Sequence, residues 1–460
     1  MSMYSSVLNS ALIPGYYGSR GRLYPKYRAF LEQSQWWSPD QLQQFQWREL
    51  QCLLTHVFRT VPYYRRKYAA VGIDIRDIRT PEDFATLPPL TRAEVNAYRE
   101  ELCSTAAPSK LIAHATGGSS GIPTRFFITL DSYDWRCAAS ERAYSWSGHR
   151  IGERTMYLWG AVVGKVSRFE SAKMNAYRFL RRELVVPTFA QTIELWRRTL
   201  RHAIRFRPRF IIGYVSSLEE FAQFLLAEGA ILHGIQAVIA AAEAPYERTR
   251  QLVAQAFGAP LFNTYGTREF MSIAAECDQH QGLHINSDNL LVETEVPSSK
   301  SPSELLVTDL HNYGMPFIRY RVGDTGILSN SICPCGRGLP LVRSVEGRVL
   351  DVLKTRDGKV VPGEFFPHVL KDISEVREFQ VQQTSLDEIV VYVVLNCPLL
   401  DSSRALLKRE TRKVFGKDTQ IVVKAVEDIP RQRSGKRRIT VGLESQITAA
   451  MSNSADELGR

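Results

Sequence analysis

Between residues 191 and 263 the apolar positions alternate between helical and extended spacing, and this limits the available folds more than any other feature. Ile193, Trp196, Leu200 and Ile204 recur at three- and four-residue intervals, the mark of an amphipathic helix within 191–206. Pro208 follows, and the short apolar run Phe210-Ile211-Ile212 ends at Gly213. A second helix is expected from Ser216, with Glu219 completing a reciprocal cap, Leu218, Phe221 and Leu225 on its apolar side, and Gly229 as its stop. A strand, a helix from about Tyr246 to Phe257 closed by Gly258, and a short strand at Pro260–Asn263 complete the run. Strands alternating with helices argue for an α/β body.

The remaining chain divides by character. From about 283 the sequence turns β-rich, with Leu290–Val296 and Glu304–Leu310 followed by a turn-rich stretch to Leu328. After Gly347 a helix is expected near Pro367–Ile373, strands near Phe379–Gln383 and Glu388–Leu395, a helix at Ser402–Phe415 and a strand at Gln420–Ala425. A chain of 460 residues suits two or three domains. The expected organisation is a large multi-sheet α/β N-terminal domain over 1–347, a smaller α+β domain over 348–445 and a small, polar, fraying tail over 446–460.

At 44% hydrophobic and 23% charged residues, the chain is neither collagen-like nor wholly disordered. Its longest apolar run, Ile235 to Ala244, is broken by Gln236 and Glu243 and falls short of the roughly 20 residues that span a bilayer. The first twenty residues lack the basic-then-apolar order of a signal peptide. Seven scattered cysteines, an odd number, suit a reducing, cytoplasmic setting with thiols free or metal-bound. The balance of 58 − 48 = +10 favours anionic partners, a class that includes phosphates, nucleic acid and anionic lipid.

Five segments have the composition for chemistry. Thr116-Gly117-Gly118-Ser119-Ser120-Gly121-Ile122-Pro123-Thr124 can present backbone N–H and hydroxyl donors to a phosphate, between expected strands Leu111–Ala115 and Arg125–Leu130. It is not a Walker A loop, because no Gly-Lys-Ser/Thr occurs and no helix follows. Asn263-Thr264-Tyr265-Gly266-Thr267-Arg268-Glu269 joins an aromatic ring, a glycine and a carboxylate at a strand end. Arg319-Tyr320-Arg321-Val322-Gly323-Asp324 reads either as a Gly-Asp hairpin turn or as a carboxylate for ribose hydroxyls. Glu346-Gly347-Arg348 stands where the chain changes character. Ser434-Gly435-Lys436 lies in a basic run that is either a solvated face or a turn lifting one lysine toward a phosphate.

In this order the five segments resemble the adenylate-forming acyl ligase superfamily, most closely its phenylacetate-CoA ligase-like and CapK-type branch. Gly213-Tyr214-Val215-Ser216-Ser217-Leu218 and Cys333-Pro334-Cys335-Gly336-Arg337 resemble the same branch. The resemblance implies ATP- and Mg²⁺-dependent adenylation of a carboxylic acid, release of pyrophosphate and transfer of the acyl group to a thiol, with CoA expected. Carrier-protein phosphopantetheine and an amine are the alternative acceptors. By similarity Thr116, Gly118, Ser119, Ser120 and Gly121 hold the ATP phosphates, Glu243 lies beside the adenine, and Tyr265 and Gly266 pack against it. Thr267 or Arg268 meets the α-phosphate, Glu269 coordinates Mg²⁺, and Asp324 binds ribose. Arg348 sits at the hinge, and Lys436 bridges carboxylate and α-phosphate from a mobile C-terminal lid. Tyr157, Trp159 and Tyr214 are candidates for the acyl pocket or for the core, and a homodimer is expected by analogy.

Three positions depart from the family pattern. Ile122 replaces a lysine of the phosphate loop, Arg268 a threonine, and Leu350 an acidic hinge residue, with Asp351 following. A degenerate ligase therefore stays open, although Glu269 and Lys436 argue against it. Nucleic-acid binding through 431–438 is disfavoured because the positive charge is spread along the chain and no binding module is recognised. Cys277, Cys333 and Cys335 with His280 or His284 supply three thiolates and an imidazole, a donor set for structural Zn²⁺. The Gly-x-His setting seen in relatives favours His284.

Overall fold

The computed structural model describes residues 3–108, 110–116, 124–160, 167–188, 192–242, 244–295, 302–329, 331–346, 353–361, 363, 365–370, 373–429 and 439–443. The apolar runs of 155–267 become five parallel strands, in sheet order Glu183–Pro187, Thr155–Trp159, Phe210–Tyr214, Ala237–Ala241 and Leu261–Thr267. The chain starts in the second of these positions, moves out to one edge and then returns, so the order reverses beside Thr155–Trp159. In open α/β sheets, ligands bind outside the carboxyl ends of the strands near such a reversal. Leu261–Thr267 pairs antiparallel with Met271–Glu276 and so joins the parallel half to an antiparallel half of six further strands. The expected β-rich stretch after 283 supplies most of that half, and the result is an eleven-stranded sheet beside a separate hairpin, Ile112–Ala115 with Arg125–Ile128.

Helix signals hold in the main. The amphipathic segment forms Ile193–Phe206, with Trp196, Thr199 and Ala203 buried and Ile193 and Ile204 exposed at its ends. The helix over 246–257 starts at Glu247 and stops at Gly258. One cap is different from expectation: the helix Val215–Ala227 begins a residue before Ser216, with Tyr214 at the cap position and no side-chain cap bond. The Phe210–Tyr214 strand runs straight into this helix, leaving no linker for Ser216 to cap, and Glu219 instead accepts a hydrogen bond from Thr249 Oγ1.

One core joins the N-terminal helices to the antiparallel half through Leu53, Val57, Tyr64, Phe270 and Tyr320; another fills the parallel half around Leu158, Phe221 and Val253. Each fully buried side chain of this size contributes roughly 1.5–3 kcal/mol. The smaller C-terminal unit contains strands Val376–Gln383 and Glu388–Leu395, the helix Asp401–Phe415 and strand Gln420–Ala425, all close to expectation, around a core with Phe365, Phe366 and Phe379. Two small pieces carried no sequence signal: the hairpin Leu353–Lys354 with Val360–Val361, and strand Thr440–Val441, which pairs parallel with Val376–Gln383. Among the described residues no helix is long and apolar enough to cross a membrane.

Candidate active site

The hairpin Ile112–Ala115/Arg125–Ile128 ends in a closed neck. Thr116 N–H donates to Thr124 O at 2.9 Å, and Thr124 N–H donates to Thr116 Oγ1 at 2.8 Å. The seven residues between them, including Gly118, Ser119, Ser120, Gly121 and Ile122, lie outside the described residues. The sequence reading of two strands flanking this loop is matched on both sides.

The second motif is a tight hairpin turn. Leu261–Thr267 extends further than the short strand expected, and residues 268–270 turn the chain into Met271–Glu276. Met271 has φ 60°, the left-handed residue that completes a three-residue hairpin loop. Gly266 is obligatory here: a Cβ at this position would stand 1.9 Å from Met271 O. The register shifts between Tyr265 and Gly266, which re-aims the residues that follow. Phe270 is fully buried against Phe317 and Tyr320, Glu269 points inward with it, and Arg268 stays exposed.

Glu269 is 2% exposed, so its carboxylate needs partners. Tyr320 OH donates to Glu269 Oε1 at 3.0 Å, and Arg92 Nη2 lies 3.6 Å from the same oxygen. Arg92 also donates to Tyr320 OH at 3.1 Å and to Val322 O at 2.8 Å. Burial alone would lower the Arg92 pKa, but Tyr320, Glu269 and Asp324 outweigh it and hold the guanidinium firmly charged. Burial, reinforced by Glu269, pushes the Tyr320 phenol well above its ordinary range, so it remains a donor. From behind, Arg136 of the Leu130–Ser145 helix donates to the Glu269 carbonyl and pairs with Asp309.

Arg92, absent from the sequence reading, is brought here by the backbone. Leu90 N–H donates to Arg319 O at 3.1 Å and Arg321 N–H to Leu90 O at 2.9 Å, tying the residues before the Arg92–Ala97 helix to the Tyr320 strand. A capping box of Thr91 and Glu94 starts this helix and sets Arg92 at its first position.

Asp324 is not in a hairpin turn. It lies within the continuous strand Tyr320–Ser329, where Gly323 has φ 82° and residues 322–324 bulge opposite the single residue Leu305. The bulge lets Asp324 Oδ2 accept from Tyr265 OH at 3.0 Å. Thr116, Tyr265, Gly266, Thr267, Arg268, Glu269 and Asp324 are thus described, whereas Glu243, Arg348 and Lys436 lie outside the described residues. The Arg92 cluster links the Glu269 turn to the Asp324 bulge. Of the acyl-pocket candidates, Trp159 and Tyr214 stack with centroids 4.6 Å apart, but Tyr214 is 2% exposed and packs with the C-terminal core. Tyr157 packs against the core around Phe210 and Ile212.

A second cluster forms at the far end of Met271–Glu276. One ligand atom from each of Cys277, His284, Cys333 and Cys335 lies within 4.8 Å of every other. Cys277 Sγ is 3.6 Å from Cys333 Sγ, and Cys335 Sγ is 3.3 Å from His284 Nε2. Tetrahedral Zn²⁺ with bonds of about 2.3 Å to sulfur has S···S edges of about 3.8 Å, near the 3.6 Å between Cys277 and Cys333, so the donor set suits the ion. His284 Nδ1 is 3.3 Å from Leu339 O, which orients the ring so that Nε2 faces the thiols. Burial lowers the His284 pKa to about 4, leaving the imidazole neutral. His280 turns away, its Nδ1 3.2 Å from Glu276 Oε2, which leaves His284 as the fourth member.

Residues 353–442 match the family model for the CapK C-terminal domain. The chain is 24% identical over 440 residues to a phenylacetate-coenzyme A ligase of Thermus thermophilus, covering 88% of this chain and 97% of that one. It is likewise 24% identical over 368 residues to protein CapK of Staphylococcus aureus, covering 77% and 79%. Among solved structures, 2-hydroxyisobutyryl-CoA ligase with 2-HIB-AMP and CoA superposes with TM-score 0.58 at 20% identity, over 90% of this chain and 92% of that one. The closed loop neck, the turn bearing a buried carboxylate and the Asp324 bulge follow one another in the order of the sequence motifs, and the match to the Thermus thermophilus ligase covers 88% of this chain. The protein is therefore a homologue of the phenylacetate-CoA ligases and CapK, ending in a CapK C-terminal domain and built on the acyl-CoA ligase fold.

Proposed function

We propose that this chain is an AMP-forming acid–thiol ligase: it adenylates a carboxylic acid with ATP and passes the acyl group to CoA. The observation that carries the reading is the buried Glu269 turn, held by Arg92 and Tyr320 and linked to Asp324, in a chain whose relatives over nearly full length are phenylacetate-coenzyme A ligases.

In the first half-reaction a carboxylate oxygen forms a bond to the α-phosphorus and the bond to pyrophosphate breaks. In the second a thiol sulfur forms a bond to the acyl carbon, AMP leaves and the thiol proton passes to solvent. Both steps move negative charge across phosphate oxygens, so donors must be aligned beforehand. The Thr116–Thr124 neck stands at the two ends of the segment assigned the backbone donors to phosphate, Gly118–Gly121. Tyr265 and Asp324, joined at 3.0 Å, suit the base and ribose of the nucleotide. Thr267 or Arg268, at the turn, is assigned the contact to the α-phosphate. Glu269 Oε1 is committed to Tyr320, leaving Oε2 for a cation; Mg²⁺ bound there would neutralise phosphate charge. Lys436, in the assigned role, joins carboxylate to α-phosphate and leaves with the C-terminal domain (348–445) when the acceptor enters. Cys277, His284, Cys333 and Cys335 are assigned a structural Zn²⁺, supported by their separations and by the Leu339 carbonyl behind His284. Free thiols throughout the chain suit a cytoplasmic setting.

The test is pyrophosphate release with ATP, Mg²⁺ and aryl, fatty, hydroxy and amino acids, each with and without CoA. Release with one acid class and CoA-dependent turnover are expected; ATP binding without release from any acid would mark a degenerate ligase. Lys436→Ala should cut adenylation by roughly 10²–10³-fold, yet leave transfer from a supplied acyl adenylate close to wild type.

A further inference from the structure

Three buried side-chain polar atoms, two at the loop neck and one at the hairpin turn, have no hydrogen-bond partner among the described residues: His114 Nε2, Thr124 Oγ1 and Thr267 Oγ1. Buried polar atoms are nearly always paired, so an orphan at the mouth of the phosphate loop, within electrostatic reach of Arg268 at the turn, points to a ligand that both would meet. His114 lies two residues before Thr116 on the strand that leads into the loop, opposite Phe126. Its side of the hairpin is the packed one, where Thr124, Phe126 and Ile128 are buried. The ring is held by Phe126, 5.7 Å away at 19°, and by Tyr133, 6.3 Å away at 29°. Burial, then Arg136 and Arg268, lower its basicity, so the ring is neutral and its single N–H goes to whichever nitrogen has an acceptor. Arg268 adjoins Thr267, whose hydroxyl is another of the orphans.

We propose that His114 Nε2 donates a hydrogen bond to an α-phosphate oxygen, first of the bound nucleotide and then of the acyl adenylate, which makes His114 a further catalytic residue. This rests on the adenylate-forming reading above. A neutral donor is the fitting choice beside two arginines: it orients the phosphate without adding a third positive charge to a buried site. The contact persists through both half-reactions, because the same α-phosphate leaves as AMP when the acyl carbon takes the thiol.

AMP and adenosine differ only by that phosphate, so the pair isolates the contact without knowledge of the acid. Titration calorimetry of the full chain should show AMP binding weakened about ten- to a hundred-fold in His114→Ala, with adenosine affinity within about twofold of wild type. His114→Gln, which restores an amide donor, should recover part of the AMP affinity and carries the test if the alanine variant does not fold. Unchanged AMP affinity, or equal weakening of AMP and adenosine, overturns the proposal. Wild-type protein that binds neither AMP nor adenosine overturns the adenylate-forming reading itself.

Discussion

The two ends of one six-residue strand, Met271–Glu276, have opposite characters. At its start the hairpin turn gathers hard, charged groups around a buried carboxylate: Glu269, Arg92, Tyr320 and, one bulge away, Asp324. At its end, about 20 Å on at strand rise, Cys277 joins two further thiols and an imidazole. The first set leaves polar atoms unpaired at its margin; the second brings together four donors of the kind a tetrahedral ion takes. On the proposed function, one end receives a ligand that comes and goes and the other holds an ion that stays. The difference predicts that stability and catalysis separate along the strand.

The largest effect belongs to the thiol end. Structural zinc contributes roughly 10–16 kcal/mol to small zinc-binding peptides, and even a fraction of that should lower the melting temperature here by about 10 °C or more after chelation. Metal analysis should find one equivalent in wild-type protein and less in Cys335→Ser. A chelator-insensitive melting curve would leave the four residues as a thiol cluster only.

Next comes Arg92. Removing one member of a buried ion pair leaves the other uncompensated and costs about 3–5 kcal/mol, so Arg92→Met should unfold well below wild type in a denaturant titration. Arg92→Lys keeps the charge but loses the fork that meets both Tyr320 and Val322; it should lie between the two. Equal stability of Arg92→Met and wild type would show that Glu269 does not depend on the arginine.

Glu269→Gln should weigh more on catalysis than on stability. The amide still accepts from Tyr320 and Asp324 still faces Arg92, so the loss of stability should be smaller than in Arg92→Met, while adenylation per folded molecule falls by roughly two orders of magnitude and the Mg²⁺ titration shifts to higher concentration. An unchanged Mg²⁺ titration would remove Glu269 from the cation site.

What the sequence disclosed follows from how local each signal is. The helices at 193–206 and 247–257, the strands at 388–395 and 420–425, and the paired strands around the Thr116 loop all declared themselves through periodicity and their own stop residues. Ser216 misled because a cap pattern is read over four residues, while the helix start was decided by the strand feeding it. Arg92 was invisible because its partners lie 177 and 228 residues away, at Glu269 and Tyr320, and only the backbone pairing of Leu90 with the Tyr320 strand brings them together. The Asp324 bulge was missed for a related reason: Gly-Asp reads as a turn in isolation, and only pairing with Ser303–Asp309 reveals one continuous strand. His280 and His284 differ by four residues, yet Glu276 captures one and Leu339 aims the other.

The smallest expected effect is the most searching. If the two ends of Met271–Glu276 are independent, Cys335→Ser and Glu269→Gln should add in a double-mutant cycle, since sites beyond 7–10 Å without shared partners are additive within about 0.3–0.5 kcal/mol. Stability from denaturant titration and adenylation rate per folded molecule both serve as readouts. The strand between them is packed through Ile273, 1% exposed, and Ala274, fully buried, and such a core does not deform smoothly. A shift small enough to be absorbed at one end therefore does not reach the other. A coupling above about 1 kcal/mol would mean that the strand slides or twists as a unit when the ion leaves. The metal end would then be setting the position of the Glu269 turn, and the separation of stability from catalysis would fail at the one element the two sites share.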